Sequence, residues 1–171
     1  VLTIQGKADA GQKVTVAIAG QKKKTVTASN GKWRVSLDPL KAGGPYTLTV
    51  TADKQKVVYN NVLAGEVWLC SGQSNMEFYL NWSATGKRDI PQAANDQIRL
   101  FDMKARWRTD AVEWDASVLD SLNHLQYFTD ASWKVCAPET ADRFSAIAYY
   151  FGKKLQDSLQ LPVGLICNAI G

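Results

Sequence analysis

The sequence is short of histidine, cysteine and long apolar runs. One histidine stands among 171 residues, and neither a CxxC nor an HExxH spacing occurs. A zinc site is therefore not expected. Cys70, Cys136 and Cys167 are odd in number, so they cannot all pair internally. Cys70 and Cys167 end apolar, strand-like runs, where a free cysteine serves as a small core hydrophobe. No apolar run approaches the ~18 residues of a membrane-spanning helix. Val1 does not open a signal peptide, which a mature chain would lack in any case. Hydrophobic residues make up 46% and charged residues 21%, a globular balance that excludes wholesale disorder, a collagen repeat and a coiled coil.

Charge is unevenly spread. Residues 1–65 carry ten basic and three acidic side chains, whereas residues 66–171 carry ten and thirteen. Five of the six tryptophans and the lone His124 fall in the second part. Two modules are expected. The basic part raises nucleic acid as a partner, but Lys22, Lys23 and Lys24 form its one cluster and no aromatic platform interleaves them. A solvated strand edge is the expected setting, and no nucleic-acid partner is implied.

Residues 1–64 read as a β-meander closing into a β-sandwich. Val14–Ile18, Thr25–Thr27, Trp33–Leu37, Tyr46–Val50 and Lys56–Leu63 are strand-like. Gly11, Gly20, Ser29-Asn30-Gly31 and Ala42-Gly43-Gly44-Pro45 punctuate them. At Gly65 the pattern changes. Glu66–Cys70 is a compact apolar run of the kind that forms a buried parallel strand. Ile98–Phe101 and Pro162–Cys167 are two more strand candidates. Between those two, Phe144, Ile147, Ala148, Phe151, Leu155 and Leu159 recur every three or four residues, which predicts an amphipathic helix. Strand, helix, strand is the grammar of a parallel α/β sheet. Residues 104–135 read as an irregular surface loop. Its Trp107, Trp114, Tyr127, Phe128 and Trp133 admit two readings, a sugar-binding pocket or the loop's own packing.

The chemistry-bearing stretch is Gly65-Glu66-Val67-Trp68-Leu69-Cys70-Ser71-Gly72-Gln73-Ser74-Asn75-Met76. A buried strand ends here in a turn that Gly72 permits, positive φ included. Ser74 is expected at the carboxyl edge of the sheet, where α/β ligand sites gather. A hydroxyl in that place either caps a helix or attacks an acyl carbon, with free N–H groups beside it to hold an oxyanion.

Gly65 to Met76, with Gly-Gln-Ser-Asn-Met at its heart, closely resembles the first signature block of the sialate O-acetylesterases, members of the SGNH-hydrolase superfamily. Ala131–Thr140 and Phe144–Gly152 are similar to that family's middle segment. Pro162–Ile166 is similar to the strand leading into its second block. Met76 stands where the α/β-hydrolase elbow G-x-S-x-G has its second glycine, so that class is excluded.

The resemblance implies an SGNH-type, flavodoxin-like α/β/α domain from residue 65 to 171, behind a β-sandwich accessory domain at 1–64. It implies Ser74 as nucleophile. The Ser74 N–H and the Gly171 N–H are the implied oxyanion donors. Gln73 and Asn75 are expected to shape the turn through side-chain hydrogen bonds. An Asn block and a DxxH block complete the family's machinery. They are expected on a companion C-terminal chain or segment, which makes these residues the N-terminal piece of a longer enzyme. His124 lies outside every family block and is expected to be an ordinary loop histidine. The implied activity removes O-acetyl groups from sialic acids or related sugars, without metal or organic cofactor, in an extracytoplasmic setting. Two alternatives stand beside it: an acetylxylan-type esterase and a non-catalytic carbohydrate-binding fragment.

Overall fold

The computed structural model describes residues 1–107 and 113–170. The chain divides into two compact units, one over Val1–Ala64 and a second from Gly65 onward.

The first unit is all β. Its strands are β1 (Leu2–Lys7), β2 (Lys13–Ile18), β3 (Gln21–Val26), β4 (Lys32–Leu37), β5 (Gly43–Ala52) and β6 (Gln55–Ala64). The expected meander is broken in one respect. β1, which the pattern did not single out, pairs antiparallel with β4, while β3-β2-β5-β6 forms a second antiparallel sheet. The two sheets share one core. Val14, Val16 and Ile18 face Trp33, Val35 and Leu37, and every one is buried. Alternation along β2 and β4 places these apolar side chains inward and their polar neighbours outward. Ala19 and Gly20, both at positive φ, make the two-residue turn from β2 into β3. β3 is an edge strand with Lys22, Lys23 and Lys24 exposed. Their charge guards the unpaired edge.

The second unit mixes α and β. Its strands are β7 (Glu66–Gly72), β8 (Asn95–Met103), β9 (Lys134–Cys136) and β10 (Val163–Ala169), in spatial order β7-β10-β8-β9. β10 runs parallel to both β7 and β8, and β9 closes the far edge antiparallel. Short helices α1 (Ser74–Glu77) and α2 (Gly86–Asp89) follow β7. α3 (Ala116–Asn123) lies inside the stretch expected to be irregular, and α4 (Pro138–Ala141) follows β9. α5 (Ala146–Leu159) is the helix the periodicity predicts.

Two expectations about burial are corrected. β7 is not a buried strand. It lies at the edge of the described sheet, and Val67, Trp68 and Leu69 are 61%, 42% and 64% exposed. On α5, Ile147, Phe151 and Leu159 are exposed too, and the buried positions are Ala146, Ala148, Tyr149, Gly152 and Gln156. The reason is a close approach of helix to sheet. A Cβ on Gly152 would lie 2.4 Å from a Leu165 methyl. The helix therefore turns its smallest residue toward β10, and Phe151 moves to the rim, edge-on to Trp68 at 5.2 Å. Gln156 is drawn inward by the Asn95 side-chain amide, which donates to it at 3.1 Å.

Candidate active site

The parallel register carries Cys70, Ser71 and Gly72 alongside Cys167, Asn168 and Ala169, so β7 and β10 end together. Gly72 is the hinge. Its φ is outside the left-handed region, which corrects the expectation that positive φ explains it. The requirement is space, since a Cβ there would stand 2.9 Å from the Met76 Cβ. Gly65, where the pattern changes, is also a contact glycine, for its Cβ would fall 2.0 Å from the Pro162 carbonyl oxygen.

Beyond Gly72 the chain folds at once into α1. Gln73 is its N-cap, and its side chain makes no capping bond. Backbone holds the turn instead: the Met76 and Glu77 N–H groups both donate to the Gln73 carbonyl at 2.9 Å. The side-chain bonds expected from Gln73 and Asn75 do not form among the described residues, where both side chains are exposed. Ser74 is the first helical residue and is exposed. It is not the cap, so the plain helix-capping reading of this serine has no support. Among the described residues, its hydroxyl and its backbone N–H are both unpartnered, as the first N–H groups of a helix are when nothing caps them. Gly171, the expected second donor, lies outside the described residues.

Beside α1 a cavity of about 160 Å³ opens at the carboxyl ends of β8 and β10. Glu77 and Tyr79 line it from the α1 side, Asp102, Met103 and Lys104 from β8 and just beyond, Cys167 and Ala169 from β10, and Arg143 and Ser145 from the entry to α5. Asp102 sits 3.3 Å from the Lys104 ammonium. Burial pushes the Asp102 carboxyl up, Lys104 pulls against that shift, and Glu77 adds to it. Burial also raises the Cys167 thiol to about 12, with Asp102 as a further cause. That thiol stays protonated and is a packing group, not a nucleophile.

The entry to α5 is strapped to the chain after α1. Ala146 N–H donates to the Phe78 carbonyl at 2.8 Å, Leu80 N–H to Phe144 at 2.9 Å and Asn81 N–H to Asp142 at 3.0 Å. The Ser145 hydroxyl accepts the Ala148 N–H and so caps α5.

His124 lies at the C-terminal end of α3, 65% exposed at its side chain. Its Nδ1 is 2.8 Å from the Asp120 carbonyl and 3.5 Å from the Asp120 carboxylate. It does not line the cavity beside α1. Nor do the aromatic side chains of 104–135. Trp133 instead packs on Phe101 and stands over Gly164, whose Cβ would be 3.1 Å from its ring. Trp133 therefore packs on the sheet rather than within its own loop. Among the described residues no three histidine, cysteine or acidic side chains gather as metal ligands, and no helix is long and apolar enough to cross a membrane.

Glu77, Asp102, Lys104 and Arg143 went unrecognised in the sequence. Asp102 follows directly on the strand run Ile98–Phe101, so the carboxyl-edge rule for parallel sheets was the available signal.

The second unit thus presents an exposed serine, and beside it a cavity with four charged lining side chains, at the carboxyl ends of its parallel strands. No family model matches the chain. Individual proteins do. The human sialate O-acetylesterase is 30% identical over 160 residues, covering 86% of this chain and 28% of its own length. The rat sialate O-acetylesterase is 33% identical over 187 aligned positions, covering 98% of this chain and 32% of its own. In structure, a carbohydrate acetylesterase from Xanthomonas citri superposes with a TM-score of 0.83 at 30% identity, across 99% of this chain and 36% of that one. Over most of its length the chain is a homologue of the sialate O-acetylesterases. It spans about a third of the length of the relatives it matches.

Proposed function

We propose that these residues belong to a serine esterase that removes O-acetyl groups from acetylated sugars, sialic acids foremost, with Ser74 as the nucleophile. The observation that carries the reading is the state of Ser74: exposed at the carboxyl edge of the sheet, first in its helix, with hydroxyl and N–H both unclaimed among the described residues. The names of its homologues supply the substrate class.

In this reading the second unit is part of an SGNH-type domain, and the first, at 1–64, is an accessory β-sandwich. Ser74 Oγ attacks the acetyl carbonyl and gives its proton to a histidine of a DxxH segment elsewhere in the longer enzyme. The N–H groups of Ser74 and Gly171, with an Asn from a further block, hold the oxyanion. One such donor is worth about 2.7–4 kcal/mol in the transition state. The sugar oxygen leaves with the returned proton, and water releases acetate from the acyl-enzyme. Glycan substrates fit an extracytoplasmic setting.

The test is acetate release by the full-length protein on O-acetylated sialic acid, with labelling by a fluorophosphonate. Turnover lost in Ser74→Ala, and a label found on Ser74, support the assignment. Undiminished turnover in that variant overturns it. A second reading, in which acetylated polysaccharides such as xylan are the substrate, is also compatible with the Xanthomonas neighbour, a carbohydrate acetylesterase. Parallel assays on acetylated xylan separate the two.

A further inference from the structure

We infer that Arg143 reads the negative charge of the substrate, so that this site prefers an acetylated sugar acid, which bears a carboxylate, over a neutral acetylated sugar. The inference rests on the esterase reading above and names a specificity residue for it.

The cavity beside α1 is lined by Glu77, the last residue of the short helix that Ser74 opens. The two residues are three apart in one helix, so they share a side. Arg143 lines the cavity from the opposite element. The bonds from Asn81 to Asp142 and from Leu80 to Phe144 hold the backbone on both sides of Arg143 against the segment following Ser74.

Four charged residues line this cavity: Glu77, Asp102, Lys104 and Arg143. Lys104 is committed to Asp102 at 3.3 Å and lies over the Tyr79 ring. Glu77 has an interaction of its own. Arg143 is exposed and has no ion pair or hydrogen bond to any described residue. A guanidinium is a flat fork of donors that matches a carboxylate with two parallel hydrogen bonds. In a sugar acid, one carbon skeleton ties the carboxylate to the acetyl ester and limits how far apart they can lie. Fastening the carboxylate therefore orients the ester carbonyl toward the attacking hydroxyl. With Lys104 turned to Asp102, Arg143 is the cation among the described lining residues left to meet an incoming carboxylate. A neutral sugar has no group for Arg143 to grip.

The test uses the full-length protein and two probes, 9-O-acetyl-N-acetylneuraminic acid and its carboxyl methyl ester, with acetate release as the readout. We expect the wild type to favour the free acid in kcat/KM by about 10- to 100-fold, the strength of a charge-assisted pair. Added salt shrinks that preference. In Arg143→Gln the ratio falls toward one, and Arg143→Lys keeps part of it. A structural role alone would slow both probes equally and leave the ratio intact. A wild type that treats the two probes alike, or an Arg143→Gln that keeps the preference, overturns the inference while the esterase reading stands. Turnover of neutral acetylated sugars but of neither probe does the same. If Arg143→Gln fails to fold, the wild-type ratio and Arg143→Lys decide. A wild type that releases acetate from no acetylated sugar sinks both readings.

Discussion

The Ser145 hydroxyl donates to the Met76 sulfur at 3.4 Å while it accepts the Ala148 N–H at 3.2 Å. One buried side chain thus caps the long helix and touches the short helix that Ser74 opens. Ser145→Ala removes both links. We expect a loss of about 1–2 kcal/mol in chemical denaturation, the usual worth of an N-cap, together with slower acetate release. Unchanged unfolding would show that the cap carries no weight.

Ser74→Ala separates chemistry from folding. The side chain is exposed and makes no described hydrogen bond, so stability should stay within about 0.5 kcal/mol of wild type. If Ser74 is the nucleophile proposed above, turnover of the full-length protein should fall by about 10⁴- to 10⁶-fold. Circular dichroism melts and acetate release, measured on one preparation, check both halves.

The two contact glycines should answer alanine differently. At Gly65 the new Cβ would meet the Pro162 carbonyl at 2.0 Å, and backbone cannot step aside. Gly65→Ala should destabilise the second unit by more than about 3 kcal/mol, the upper range of overpacking. At Gly72 the neighbour is the Met76 side chain at 2.9 Å. Gly72→Ala should cost about 1 kcal/mol and displace α1, so activity drops further than stability. Denaturant midpoints set against rates test the contrast.

Alkali should loosen the fold. Burial raises Cys167 to about 12 and Cys136 to about 11 from an ordinary 9.0, and it raises Cys70 as well. Above pH 9 the unfolded thiols release protons that the folded ones keep. The unfolded state then binds fewer protons, so stability falls as pH rises. The fall runs from about 9 to about 11 for Cys136 and to about 12 for Cys167, at up to about 1.4 kcal/mol per pH unit for each thiol. Urea titrations at pH 8 and pH 10 should differ accordingly, and native protein at pH 8 should resist iodoacetamide.

How far the sequence could be read depended on what each residue's signal measures. Alternation in Val14–Ile18 and Trp33–Leu37 reports one buried face, and β2 and β4 lie there. The turn at Gly65 marks the change from one compact unit to the next. β1 was missed because Leu2–Lys7 is half-buried and mixed in polarity. Periodicity located α5, but its rotation is set by the Gly152–Leu165 approach, a contact between residues from different elements. Hydrophobicity misjudged β7, because burial depends on which neighbours a strand finds. At the site, Ser74 was legible as a local motif. Glu77, Asp102, Lys104 and Arg143 converge from three separate stretches, and no local window holds that convergence.

β7 leaves one further mark on how the molecule behaves. Its outer backbone groups have no strand beside them in the described sheet, and Val67, Trp68 and Leu69 stand largely bare. A naked, greasy ribbon of this kind invites any extended peptide to lie down alongside it. Concentrated solutions of these residues by themselves should grow cloudy on warming, and charged replacements such as Val67→Lys should keep them clear.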